Sequence, residues 1–386
     1  MNKIKHVLFL FFMLICLGEI IQTYFPFIHT PKLEGAIYVI PKPSFTSSNW
    51  LSGKYQDSAV TYFEQQAELH PSFVRLRNQI GYSLFDEVRV SKVVLGKDQN
   101  LFGGGYIEAY LGMDFKGDDT IASQVMKLKY VQDELKKRNV DLMFVICPGK
   151  PAIQPEYIPS QYDLSKKSRS NYDAYSEQFI KQGINHIDFR SCFLKIKSTV
   201  KHPLNTRCGV HWSGYGSTVA ADTLIKYIEK LRNIDLPDFT INGGEETTIP
   251  RNTDADIGEA MDLIRDIPSY PMYYPNIIFR NDTTKTKPNV LVIGDSYVRS
   301  WISFYNFLPH EFGNNSAFWY YNREVEWKQT PDNLPAAVEN LNLKQQTFNR
   351  DIILLASNEI NLSRSGFGFI EQMYKLLKEE NKPKNQ

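Results

Sequence analysis

A chain of 386 residues with 42% apolar side chains carries enough hydrophobic material for one large domain or two ordinary ones, which excludes a disordered tail. Forty-four basic against 43 acidic side chains leave a net charge of +1, so no bulk field draws in nucleic acid or an acidic surface. The aromatic share of 13%, with 22 Tyr and 24 Phe, suits stacking on sugar rings and serves a large β-rich core equally well.

In chain order, Lys3 and Lys5 precede an apolar run from Val7 to Leu17, with Ile20 and Ile21 beyond Glu19. A basic flank followed by an apolar stretch reads as a signal sequence or signal anchor. No small-x-small cleavage site follows, and Leu14 and Ile15 are too bulky before Cys16 for a lipoprotein signal. The pattern predicts an uncleaved anchor over residues 1–25, with Tyr24, Phe25 and Phe27 at the interface and the basic flank in the cytoplasm. The rest of the chain is then exported. Residues 26–49, rich in Pro, Thr and Ser, predict a linker, and the globular region 50–386 begins near Trp50.

Cys147, Cys192 and Cys208 remain besides Cys16, enough for one disulfide but not a disulfide framework. None has the spacing of a zinc or redox motif, so no metal and no cofactor is expected.

Apolar spacing predicts helix over Tyr55 to Phe85, broken at His70-Pro71, and a strand over Val88 to Leu95. Helix and strand patterns then alternate: helix Ile121 to Lys137, strand Val140 to Ile146, strand Ile184 to Phe189, helix Tyr215 to Leu231. The order resumes with strand Val290 to Ile293, helix Val298 to Phe307, strand Ala317 to Tyr321, helix Pro335 to Leu343, strand Ile352 to Ala356 and helix Gly366 to Glu380. Continuous apolar strands between amphipathic helices predict an α/β fold, a doubly wound and mostly parallel sheet with ligands at the carboxyl ends of its strands. Residues 237–287 break the rhythm and read as an insertion that walls the site.

Two segments carry chemistry. The strand ending Val292-Ile293-Gly294-Asp295-Ser296 places a serine at a strand's carboxyl end, beside backbone N–H groups suited to a developing oxyanion. Ser296 fits a nucleophile and a helix N-cap equally at this point. Gly294 permits the tight turn, and Asp295 suits fixing it better than acting as an acid. In Cys208-Gly209-Val210-His211-Trp212-Ser213, His211 precedes a helix and is the natural base for such a serine. Asn358 and Asn361 follow the strand Ile352 to Ala356 and are candidate oxyanion donors as well as helix caps. Arg299, Arg323 and Arg364 near the strand ends suit a sugar carboxylate, with surface pairing favoured. Cys208 lacks an activating neighbour and is disfavoured as a nucleophile.

A Gly-Asp-Ser block late in the chain, preceded by a His-Trp-Ser block, resembles the SGNH-hydrolase-like domain of the alginate O-acetyltransferase family. Trp50-Leu51-Ser52-Gly53, Val93-Val94-Leu95-Gly96-Lys97-Asp98 and Asp254-Ala255-Asp256-Ile257-Gly258 are similar to further segments of it. The resemblance implies O-acetyl transfer to, or removal from, an exported, periplasmic polysaccharide, with Ser296 as acyl-accepting nucleophile and His211 as base. It also implies a multi-pass membrane acyltransferase as partner.

The family places an Asp two residues before the histidine, where this chain has Gly209. Three arrangements follow: a Ser-His dyad held by a backbone carbonyl, an acid recruited from Asp188, Asp256 or Glu359, or a catalytically weak glycan-binding or scaffold protein of the cell envelope.

Overall fold

The computed structural model describes residues 2–35, 38–280, 282–329 and 337–382. The chain divides into two compact units, Met1–Val93 with Ile257–Ile267, and Val94–Asp256 with Pro268–Gln386.

The first unit opens with the helix Asn2–Tyr24, apolar on every face, whose stretch Lys3–Tyr24 is long and apolar enough to cross a membrane. Two helices follow, Lys54–Gln66 and His70–Phe85; Pro71 opens the second, where its missing N–H costs nothing. The extended segment before them lies along both. Thr30 donates to the Glu68 carbonyl (2.8 Å), Ile40 N–H to the Gln65 side chain (2.8 Å), and Arg75 to the carbonyls of Pro31 and Lys32. Arg75 also pairs with Asp262, and Asn78 donates to the Met261 carbonyl, which holds Ile257–Ile267 to the same helix.

The described residues form ten strands, β1 starting at the last residue of the first stretch and the others in the second unit: β1 (Val93–Leu95), β2 (Leu101–Gly103), β3 (Asp141–Cys147), β4 (His186–Asp188), β5 (Phe239–Thr247), β6 (Met272–Phe279), β7 (Val290–Gly294), β8 (Ala317–Tyr320), β9 (Glu324–Lys328) and β10 (Ile352–Asn358). Six form the central sheet in the order β4-β3-β10-β7-β8-β9; all neighbours run parallel except β9, an antiparallel edge. β1 pairs with β2, and β5 with β6 as an antiparallel ribbon within residues 237–287.

Side-chain alternation along the central strands builds two cores, one on each face. Met143, Val145, Val290, Val292, Ile352 and Leu354 pack toward the helix Gly214–Arg232, while Leu142, Phe144, Leu291, Ile293, Ile353 and Leu355 pack toward the helices Asp118–Lys136, Asn171–Gln182 and Phe369–Glu380. Local chemistry sets the helix ends. Ser170 and Asp173 form a reciprocal capping box, Ser213 caps Gly214–Arg232, and Gly183 and Asn233 end their helices at φ 63° and 53°.

The doubly wound, mostly parallel sheet expected from the sequence is therefore present, and several element boundaries differ. The strand expected over Val88 to Leu95 reaches only from Val93. The helix expected over Val298 to Phe307 is a 3₁₀ turn Ser296–Arg299, a short helix Ser300–Ser303 and a separate Phe307–Glu311, because Asn306 at φ 54° interrupts the run. The helix expected from Pro335 begins outside the described residues; its described remainder is a 3₁₀ turn Val338–Asn340. The helix expected from Gly366 starts at Phe369, since Gly366, Phe367 and Gly368 all have positive φ. Helix Asn171–Gln182 and edge strand β9 were not anticipated.

Leu354 sits fully buried at the middle of central strand β10, flanked by β3 and β7. Leu354→Ala should cost about 2–5 kcal/mol, read as a lowered denaturation midpoint of the full chain in detergent with unchanged far-ultraviolet dichroism before the transition.

Candidate functional site

The register Ala356↔Gly294 between β10 and β7, and Asn358↔Cys147 between β10 and β3, brings the carboxyl ends of three strands side by side. Ligand sites in open α/β sheets form at this edge. Ser296 lies two residues beyond the end of β7. A Cβ on Gly294 would come 2.7 Å from the Val298 side chain and 3.0 Å from the Ala356 carbonyl, so the turn requires glycine.

Asp295, not Ser296, caps the 3₁₀ turn. Its carboxylate accepts the N–H of Tyr297 (3.1 Å), the N–H of Asn358 (2.7 Å) and the side-chain amide of Asn361 (2.9 Å). Burial pushes this carboxyl up, and the three donors pull it back. The Ser296 hydroxyl, half-buried and relieved of capping, lies 2.8 Å from His211 Nε2.

His211 is held from several sides. Its ring packs on Tyr297 at 4.8 Å, and the Tyr297 hydroxyl reaches the carbonyls of Val210 (2.7 Å) and Pro148 (2.9 Å). Next to it, Trp212 is fully buried among Phe189, Phe193 and Trp301 and donates to Ser300 Oγ. Asn205 donates to the His211 carbonyl (3.3 Å).

Asp256 stands at the other end of the ring. Its Oδ2 is 2.7 Å from His211 Nδ1, a close charge contact without a well-aligned hydrogen bond, and its Oδ1 accepts the N–H of Val210 (3.1 Å). An imidazole between a carboxylate at Nδ1 and a hydroxyl at Nε2 is arranged to take a proton from that hydroxyl.

The other two candidate acids are engaged elsewhere. Asp188 caps the helix Phe189–Ile196 and accepts from the Tyr172 hydroxyl, whereas Glu359 accepts from Gly149 N–H and pairs with buried Arg190. Gly209 leaves no room for a side chain: a Cβ there would come 2.6 Å from both Thr206 Oγ1 and the Thr253 carbonyl.

The asparagine amides expected at an oxyanion are turned into the scaffold. Asn358 Nδ2 faces the carbonyls of Cys147 and Pro148, and Asn361 Nδ2 binds Asp295, so both secure the serine turn rather than point at a ligand. Arg299 pairs with Glu326, and Arg364 donates to Asn361 Oδ1. No disulfide joins any of the four cysteines.

Three residues that sequence reasoning passed over contribute here. Lys150 is buried, and its ammonium donates to the carbonyls of Leu101, Arg207 and, at 3.4 Å, Gly209, clamping the segment that leads to His211; burial lowers its pKa to about 7. Asp254 is buried behind Asp256, accepts from the Tyr274 hydroxyl (2.7 Å), and is pushed up to about 7 by burial. The Tyr106 hydroxyl is raised by burial and by the nearby carboxylates of Asp295 and Asp256. Pro148-Gly149-Lys150 at the exit of a buried strand was the available signal for the first, and the segment Asp254-Ala255-Asp256-Ile257-Gly258 for the second; nothing local marked Tyr106.

A family model described as the SGNH hydrolase-like domain of acetyltransferase AlgX matches residues 93–317, more than half of the chain. The protein belongs to this family. A probable alginate O-acetylase AlgJ of Pseudomonas syringae is 28% identical over 174 residues, 45% of this chain and 42% of the relative. That of Pseudomonas aeruginosa is 26% identical over 201 residues, 51% of this chain and 49% of the relative, so the match spans less than half of either relative. Among solved structures, the O-acetyltransferase domain of Pseudomonas putida AlgJ gives a TM-score of 0.47 at 16% identity, covering 74% of this chain and 99% of that one. Pseudomonas aeruginosa AlgX gives 0.45 at 11% identity, covering 74% and 68%.

Because the folded value of Asp254 lies above its ordinary 3.8, the folded state binds its proton more tightly than the unfolded chain does. Its contribution to stability therefore falls as pH rises from about 4 to about 7 and is level above. Asp254→Asn removes this dependence: the melting temperature of the variant minus that of the parent should increase across that window and then stay constant.

Proposed function

We propose that this protein is an O-acyltransferase of the cell envelope, moving acetyl groups on or off an exported polysaccharide through Ser296, His211 and Asp256. The observation that carries the reading is the alignment of Asp256 Oδ2, His211 and Ser296 Oγ, spaced 2.7 and 2.8 Å, at the carboxyl edge of the sheet. Family membership supports acetyl as the group, and the alginate O-acetylases among its relatives support a polysaccharide as acceptor.

In this scheme Ser296 Oγ attacks the acyl carbonyl while His211 Nε2 takes its proton, with Asp256 steadying the imidazolium. Collapse of the tetrahedral species passes that proton to the departing alcohol and leaves an acyl-serine. An acceptor hydroxyl, deprotonated by the same nitrogen, attacks the acyl-serine; its proton then goes to Ser296 as the ester leaves on the acceptor. Water in place of the sugar makes the same cycle a hydrolysis. With the N–H groups of Tyr297 and Val298 taken up by Asp295, the Ser296 N–H is the turn donor proposed for the oxyanion, contributing about 2.7–4 kcal/mol.

Asp256 supplies at His211 the carboxylate that Gly209 does not, which favours an enzyme over a scaffold. The apolar helix Asn2–Tyr24 supports anchoring in the inner membrane with the remainder periplasmic, where a multi-pass acyltransferase would deliver the acyl group.

The test compares hydrolysis of an activated acetyl ester by the full chain in detergent. Ser296→Ala and His211→Ala should each lower kcat by about 10³-fold or more without changing the melting temperature greatly. Loss of an orienting carboxylate costs up to about 10⁴-fold, so Asp256→Asn should fall in the same direction, and Glu359→Gln should not reproduce it. A parent no faster than its Ser296→Ala variant would overturn the reading.

A further inference from the structure

The helix His70–Phe85 buries only Gly81, and Lys54–Gln66 buries nothing. Phe73, Leu76 and Ile80 are each 46% exposed and Leu84 70%. At 100° per residue these four fall within about 80° of one another, so they form one apolar stripe. Val60, Phe63, Trp50 and Leu51 are also exposed, and Phe45, Trp50 and Tyr55 cluster with ring centroids 5.3–6.0 Å apart. An exposed apolar stripe of this kind marks an interaction site.

What covers it is indicated by where it is tied. Glu19, in the last turns of the apolar helix Asn2–Tyr24, accepts the N–H of Leu69, the residue that opens His70–Phe85 (3.2 Å). Glu19 lies five residues before Tyr24, about 8 Å along the helix axis at 1.5 Å per residue, roughly the thickness of one headgroup layer, so Leu69 is tied at the boundary of headgroups and acyl chains when Tyr24 sits at the membrane surface. His70–Phe85 carries exposed Arg77 and no acidic residue, and the cluster of Phe45, Trp50 and half-buried Tyr55 has the composition of a membrane–water interface.

We propose that the stripe Phe73, Leu76, Ile80 and Leu84 lies in the outer headgroup layer of the bilayer crossed by Asn2–Tyr24, so that the first unit is an interfacial element as well as a tether. The occupant of the stripe is phospholipid. This rests on the anchor reading above, and the experiment separates the two.

The full chain is placed in nanodiscs of phosphatidylethanolamine and phosphatidylglycerol, with p-benzoylphenylalanine introduced singly at Phe11, Leu76, Leu84 or Lys226, the last exposed on Gly214–Arg232. After irradiation, mass spectrometry reads the adduct. The expected result is a phospholipid adduct at Phe11, Leu76 and Leu84 and none at Lys226. Lipid at Phe11 with none at Leu76 and Leu84 overturns the proposal and leaves the anchor standing. A cross-link from Leu76 to a second copy of the chain overturns it in favour of a dimer surface. Equal lipid labelling at Lys226 and Leu76 overturns it as non-specific, and absence of lipid at all four positions overturns the anchor reading and the proposal together.

Discussion

The carboxylate of Asp295 accepts N–H groups from Tyr297, Asn358 and Asn361, and through them binds the turn after β7 to the turn after β10. A buried acceptor joined to three donors in two segments is costly to disturb, since any displacement leaves polar groups unpaired away from water. The turn is further confined because Gly294 packs against Val298 and Ala356 too closely for a side chain. The direction of Ser296 Oγ follows from these constraints. With capping assigned to Asp295, the hydroxyl is left to face His211.

His211 is positioned by the same economy of buried polar groups. Lys150 holds the carbonyls before it, Tyr297 reaches the Val210 carbonyl, and the following residue, Trp212, is itself buried in the core. Asp256 reaches the ring from the insertion between the Gly214–Arg232 helix and β7, two residues after the buried Asp254. The segment containing Thr253 and Asp254 occupies the space that a side chain at Gly209 would need. Gly209 and Asp256 are thus two sides of one packing solution, in which one position yields room and the other provides the carboxylate.

The two units face different physical demands. The second hides its apolar residues in two cores divided by a parallel sheet, whereas the helices of the first leave theirs at the surface beside a helix apolar all round. The serine site lies in the unit whose apolar residues fill two cores.

The sequence by itself determined the sheet and the two halves of the serine-histidine pair. Val290 to Gly294 and Ile352 to Ala356 are unbroken apolar runs that only a strand covered on both faces can bury, and Gly-Asp-Ser at the end of the first fixes the serine at the ligand edge. Only the tertiary structure brings Asp256, rather than Asp188 or Glu359, to the His211 ring, because a carboxylate reaches an imidazole through space and leaves no periodicity in the chain to announce it. The same holds for Lys150, whose three carbonyl partners come from Leu101, Arg207 and Gly209, and for Asn358 and Asn361, whose amides turned inward to Asp295 and the β3 exit. The broken helix after Ser296 was hidden as well, since its apolar residues keep helical spacing while Asn306 takes a left-handed backbone that spacing does not register.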